Sequence, residues 1–209
     1  MFWYEILIII AVLALDLGSK YGIVNALGIQ HVDGEFVQTK SDIEFIKNFI
    51  SFSYTENTGA TFGSFKGKTE LLTAITAIGM VLLIIFLFFN KKENKFFRTC
   101  LVLILAGGLG NLYDRIVFGY VRDFIVFDFW PSFATFNVAD SFLTVSTILV
   151  VIYAVFFMPK KVREEQEKKE LADKTAPVAY PYDALKNEEI VTGDGSSDKT
   201  KDVSPDEKI

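Results

Sequence analysis

The sequence predicts a mostly α-helical integral membrane protein, with a small β element on one membrane face and a charged tail. Three observations carry that prediction. Of 209 residues, 51% are hydrophobic and 15% aromatic, including 21 Phe, and the mean hydropathy is +0.33. That is more apolar than a soluble domain of this size needs. Four apolar stretches, at about 3–27, 69–89, 97–118 and 140–158, approach the ~20 residues that cross the hydrocarbon. Charge is segregated, so the net charge of −5 describes no single region. Much of it follows Pro159, where KKVREEQEKKELADK begins.

The expected organisation is a membrane domain over 1–159 and a tail over 160–209. The first span contains WYEILIIIAVLALDLGSKYGIVNAL. No basic segment precedes it and no Ala-x-Ala site follows it, so a span is expected in preference to a cleaved signal peptide. Crossing the bilayer brings in Asp16 and Lys20, four residues apart on one helix face. They read as a structural ion pair facing other helices or, alternatively, as groups near a substrate.

Residues 28–68 are more polar and are expected on the outer face. Alternation in Phe49–Tyr54 suggests a strand, and Asn57, Gly59 and Gly63 suggest turns. By composition alone NTGATFG could be an ordinary surface turn. The second span, 69–89, is the cleanest. A loop with Lys91, Lys92, Lys95 and Arg98 follows it. The third span turns small and polar at AGGLGN, where glycines such as Gly108 let helices approach closely.

Basic residues collect at 90–98 and after Pro159, which places both termini in the cytoplasm by the positive-inside rule. Residues 28–68 and 119–139 then face outward. Phe129, Trp130 and Phe133 suit the aromatic belt at that interface. The tail starts as a charged, helix-capable segment and becomes GDGSSDKTKDVSPDEK. Too few apolar residues remain there to form a core, so disorder is expected.

One Cys and one His exclude an internal disulfide framework and leave little for Cys/His zinc sites or a His-based triad. No large basic surface suggests nucleic acid. Hydrolytic chemistry would have to rest on carboxylates, hydroxyls or an oxygen-ligated ion.

Polar and charged residues do lie beside the apolar runs: Asn111, Asp114, Arg115, Asp123, Asn137 and Asp140 stand between LVLILA (101–106) and FLTVSTILVVIYAVFF (142–157). A charge at mid-bilayer costs about 2.5–3.5 kcal/mol on insertion scales, so such residues mark function by default. Asp123 and Asp140 are too far apart to share a helix turn, yet a hairpin returning to the membrane brings its ends together. Adjacent carboxylates share a proton and titrate as a pair, the arrangement of aspartic proteases. Against this, Asp123 could cap a helix or pair with Arg115 or Arg122, and Asp140 could be the N-cap of the fourth span.

Five blocks carry a resemblance: DLGSK (16–20), ENTGATFG (56–63), GGLGNLYDR (107–115), GYVRDF (119–124) and FNVAD (136–140). In their order, and with four predicted spans, they resemble the lipoprotein signal peptidase (signal peptidase II) family, over most of residues 1–158 and none of the tail. The resemblance implies an intramembrane aspartic endopeptidase of the bacterial inner membrane. It would cleave diacylglyceryl-modified prolipoproteins just before the lipidated cysteine, and it needs no cofactor or metal. Asp123 and Asp140 match the catalytic pair. Asn57, Asn111, Arg115 and Asn137 match residues lining the substrate cleft. Asp16, Lys20 and Asp114, with Gly59 and Gly108, match structural positions. The family fold adds a small periplasmic β-sheet cradle, which agrees with the strand expected near residues 45–65. Thr61 stands where the family usually has Ala, and the acidic tail is longer than a typical member's. The partners implied are the lipidated prolipoprotein and membrane lipid, with no nucleic acid, and a monomer is expected.

Two rivals belong to other classes. A Mg²⁺-dependent membrane phosphotransferase would use Asp114, Asp123, Asp128 and Asp140 as oxygen ligands and Arg115 for phosphate. A proton-coupled transporter would relay through Asp16, Lys20 and Asp140 and show two related halves with broken helices. No internal repeat is visible.

Overall fold

A computed structural model describes residues 2–59 and 69–175. The expected turn residues Thr61 and Gly63, and residues 176–209 of the tail, lie outside the described residues. The described elements are α1 (Trp3–Leu27), β1 (Ile29–Val32), β2 (Glu35–Gln38), β3 (Ile43–Ile46), β4 (Ile50–Asn57), α2 (Thr69–Phe89), α3 (Lys95–Phe118), β5 (Val121–Phe127), α4 (Val138–Phe156) and α5 (Met158–Thr175).

The four expected spans are present as α1 to α4, each long and apolar enough to cross a membrane. The third begins two residues earlier than expected, at Lys95, and the fourth at Val138 instead of Asp140. Their apolar side chains point outward: Ile75, Ile78, Val81, Leu82 and Phe88 on α2 are all more than half exposed. A water-soluble protein does not expose apolar surface on this scale. Inside the bundle, α3 is the central helix, with Cys100, Val102, Leu105 and Ala106 buried. Its glycines permit that closeness. A methyl group on Gly108 would meet Met80 of α2, and one on Gly110 would meet the Asp16 carboxylate of α1.

At the end where α1 and α3 finish lie two small antiparallel sheets, β1-β2 and β3-β4-β5. Helix α1 closes on Gly28 at φ 63°, a left-handed C-cap suited to glycine. The β1-β2 turn is Asp33-Gly34, both residues at positive φ, as a two-residue type I′ hairpin requires. The β element expected near 45–65 is thus larger than the sequence suggested. It recruits β5 from the segment expected to be only a return hairpin, with Thr55 opposite Asp123 and Glu56 opposite Arg122.

At the opposite end a buried ion pair ties three helices together. Arg98 donates to Glu5 (Nε–Oε1 2.8 Å, Nη2–Oε2 3.0 Å) and to the carbonyls of Leu87 and Asn90. Sequence analysis counted Arg98 with the loop charges. It is fully buried, because its guanidinium closes the C-terminal carbonyls of α2, and the exposed lysines 91, 92 and 95 are the solvated charges there. Past the fourth span, Met158–Thr175 forms α5, which realises the helix-capable start of the tail. The chain divides after Lys160 into two units.

Candidate active site

The segment between α3 and α4 explains how residues seventeen positions apart meet. Phe136 pairs with Ile125 in an isolated antiparallel bridge, and its carbonyl accepts from the N–H groups of Phe124 and Ile125. That bridge lays Asn137 directly beside β5. Asn137 then starts α4 as its N-cap, its Oδ1 accepting from the Asp140 N–H at 2.9 Å. The Asp140 carboxylate reaches back and accepts from the Asn137 N–H at 3.3 Å, completing a capping box. Asp140 is therefore not the N-cap that the sequence allowed. The cap is Asn137, and Asp140 occupies the third helical position.

Asp123 comes from β5 and is 1% exposed. It accepts from Asn57 Nδ2 at 2.9 Å and from Asn137 Nδ2 at 2.7 Å. Asp140 accepts from Asn111 Nδ2 of α3 at 2.7 Å. Both aspartates thus converge on Asn137. The alternative partner for Asp123, Arg122, lies on the opposite face of β5, since successive strand side chains alternate. There it pairs with Asp114 at 2.7 Å and lies between the rings of Tyr21 and Phe118.

Burial penalises the charged form of Asp123, and the neighbouring Asp140 charge adds to that penalty. Hydrogen bonds from Asn57 and Asn137 and the charge of Lys20 oppose them. The carboxyl of Asp123 is pushed up to about 7. Charge balance agrees. Four carboxylates, Asp16, Asp114, Asp123 and Asp140, meet three cations, Lys20, Arg115 and Arg122. One proton on the pair balances that inventory.

Three of the residues expected to line the cleft, Asn57, Asn111 and Asn137, bond the two carboxylates directly. Arg115 donates to the Gly59 carbonyl at 3.3 Å, and its buried Nε has no partner among the described residues. The Gly59 N–H is in turn held by Asn57 Oδ1 at 3.0 Å. The expected Asp16–Lys20 pair forms at 2.8 Å. Asp16 also accepts from the Ala139 N–H at 2.9 Å, so α1 holds the first turn of α4. Lys20 bridges further to Asp114. Sequence reasoning missed Ala139, whose contribution is a backbone N–H that no side-chain motif encodes. It also missed Phe136, whose role is its backbone bridge.

The carboxylates of the phosphotransferase reading do not assemble. Asp128 is held by Ser51 at 2.6 Å and Asp114 by Lys20 and Arg122. Among the described residues no three of them group as metal ligands would. The described spans are unbroken helices, unlike those the transporter reading requires.

The sequence model of the family described as Signal peptidase (SPase) II matches residues 8–156. The lipoprotein signal peptidase of Clostridium tetani is 41% identical over 153 residues, which cover 72% of this chain and 92% of that protein. That of Clostridium novyi is 40% identical over 151 residues, 71% of this chain and 95% of its own length. A bacterial membrane enzyme solved by the in meso method at 2.3 Å is 32% identical, with a TM-score of 0.62. That match covers 73% of this chain and 87% of the solved one. The family match, the relatives' near-complete coverage and the shared membrane fold agree, and the chain belongs to the signal peptidase II family of peptidases.

Proposed function

We propose that this protein removes the signal peptide from diacylglyceryl-modified prolipoproteins, with Asp123 and Asp140 as an aspartic dyad that activates water. The convergence of both carboxylates on Asn137 carries this reading. One aspartate, ionised, takes a proton from the attacking water. The other, protonated, hydrogen-bonds the scissile carbonyl and protonates it as the tetrahedral intermediate forms. Proton return to the leaving nitrogen completes the cycle. With its carboxyl near 7, Asp123 is protonated in about half of the molecules at neutral pH. A proton is thus available for either role without extremes of pH.

Arg115 is suited to holding a substrate carbonyl or the lipid ester, since its guanidinium keeps its charge near lipid and has an unused donor. The acyl chains of the substrate can stay in the bilayer while the peptide enters beside β4 and β5. The sheets would lie on the outer surface of a bacterial cytoplasmic membrane, with both termini inside, as the lysines between α2 and α3 favour. The enzyme would act as a monomer.

The test is cleavage of a diacylglyceryl-modified prolipoprotein peptide by the purified protein in detergent, with and without EDTA. Asp123→Asn and Asp140→Asn are expected to lose about 10²- to 10⁴-fold or more in rate while remaining folded. EDTA is expected to change nothing. Normal turnover by either variant defeats the dyad. Loss of wild-type cleavage in EDTA favours a metal-dependent enzyme.

A further inference from the structure

Lys20 is fully buried; its ammonium donates to Asp16 Oδ2 at 2.8 Å and to Asn111 Oδ1 at 3.1 Å, and it forms an ion pair with Asp114 Oδ2 at 3.2 Å. The ion pair with Asp114 would by itself join α1 to α3. The hydrogen bond to Asn111 goes to a neutral amide whose other end touches the proposed dyad.

We infer that Lys20 is a positioning residue of the reaction: its ammonium fixes which way the Asn111 amide faces, and Asn111 thereby fixes the Asp140 carboxylate. An ammonium only donates, an ionised carboxylate only accepts, and an amide has one end of each kind. Lys20 and Asn137 Nδ2 both donate to Asn111 Oδ1, the second at 3.1 Å. The Asn111 NH₂ is therefore turned onto Asp140 Oδ1, at 2.7 Å. Flipping the amide would set NH₂ against the ammonium and a carbonyl oxygen against the carboxylate. Both contacts are repulsive, and burial leaves no water to relieve them.

The same logic reaches Asp123. Asn137 is held with Oδ1 on the Asp140 N–H, so its Nδ2 faces Asp123 and Asn111. Lys20 and Asn137 thus both donate to Asn111 Oδ1, and the two amides together present N–H groups to both aspartates. The charges facing these amides are Asp16 and Lys20 from α1, Asp114 and Arg115 from α3, Arg122 and Asp123 from β5, and Asp140 from α4.

This inference rests on the aspartic-dyad reading, and its test separates the two. Lys20→Met is assayed for cleavage of the same lipidated peptide across pH, beside Asp123→Asn and Asp140→Asn. With the ammonium gone, Asn111 Oδ1 keeps only one of its two donors, Asn137 Nδ2, to hold its orientation. The turnover number is then expected to fall about 100-fold, the scale set by small misplacements of reacting groups, with KM changed by less than about threefold. The alkaline limb of the rate profile is expected to move to higher pH, because a positive charge that favours ionised Asp123 has been removed. Asp16→Asn/Lys20→Met removes the paired charges together, avoids a buried unpaired carboxylate, and is expected to lose the same turnover. A folded variant with wild-type turnover and an unmoved profile overturns the inference. So does failure of both variants to fold, which assigns Lys20 to the scaffold alone. Normal activity in the aspartate variants overturns the dyad reading instead.

Discussion

Asn137 donates through Nδ2 to Asp123 Oδ1 at 2.7 Å, and its Oδ1 and backbone N–H engage Asp140. One residue therefore serves as helix cap and as the bridge between a strand and a helix. A helix cap normally satisfies backbone donors worth about 1 kcal/mol. Here the spare half of the same amide is aimed at the opposing carboxylate, so the start of α4 and the site are built by the same bonds.

The raised carboxyl of Asp123 has a pH signature in stability. Its folded-state value, about 7, exceeds the ordinary aspartate value of about 3.9. Between those values the folded state holds more protons than the unfolded state. Stability from this group is therefore fully present below about pH 4 and is lost as pH rises through about 7. Asp123→Asn removes that dependence. The variant is expected to melt several degrees above wild type at pH 8 and close to it at pH 4, as measured by thermal unfolding in detergent. Equal melting temperatures at pH 8 would count against a buried carboxyl that resists ionisation.

Cleavage should show the same group in its rate. In the proposed dyad one carboxyl is ionised and the other protonated, so a bell-shaped profile is expected with its alkaline limb near the raised Asp123 value. A rate that stays flat between about pH 6 and about pH 9 would show that no such protonated partner is needed.

Two glycines of the AGGLGN stretch should respond differently to alanine. At Gly110 the new methyl meets the Asp16 carboxylate, which Lys20 and the Ala139 N–H hold in place. Gly110→Ala is expected to cost ~1–3 kcal/mol by overpacking and to impair cleavage. At Gly108 the methyl meets the flexible end of Met80. Gly108→Ala should range from neutral to stabilising by about 1 kcal/mol, the helix-propensity gain over glycine. Thermal unfolding of both variants in detergent decides between them, and equal melting temperatures would refute the contrast.

Arg115→Ala should weaken substrate handling more than chemistry. Its guanidinium makes one hydrogen bond among the described residues, to the Gly59 carbonyl, and has an unpartnered Nε. Losing a charged hydrogen bond costs about 1.5–3 kcal/mol, or about 10- to 100-fold in kcat/KM, carried mainly by KM. Steady-state kinetics with the lipidated peptide provide the check. Unchanged constants would remove Arg115 from the cleft.

Much of this protein was legible in the chain. Spans are set by length and hydropathy, because hydrocarbon tolerates only long apolar helices with their backbone bonds satisfied internally. The polar residues were conspicuous for the same reason: a charge beside lipid stands out from its apolar neighbours, as Asp16, Lys20, Asp123 and Asp140 do. Residue type and location thus named the candidates before any coordinates.

Partners were a different matter. Arg98 read as a loop cation until Glu5, ninety-three residues away, was found against it. Arg122 and Asp123 are neighbours in sequence yet serve opposite faces, because β5 joins a sheet that periodicity did not reveal. Asp140 was legible as a helix-start residue, but its cap geometry and its shared neighbour depend on the Ile125–Phe136 bridge.

The sequence by itself determined that four helices cross a membrane and which rare polar side chains sit at their margins, since both follow from local transfer free energies. Only the tertiary structure decided that Asp123 and Asp140 face one asparagine, Asn137, and that Lys20 stands behind Asn111. Hydrogen bonds of 2.7–3.1 Å between distant segments arise from packing, and no local pattern encodes them.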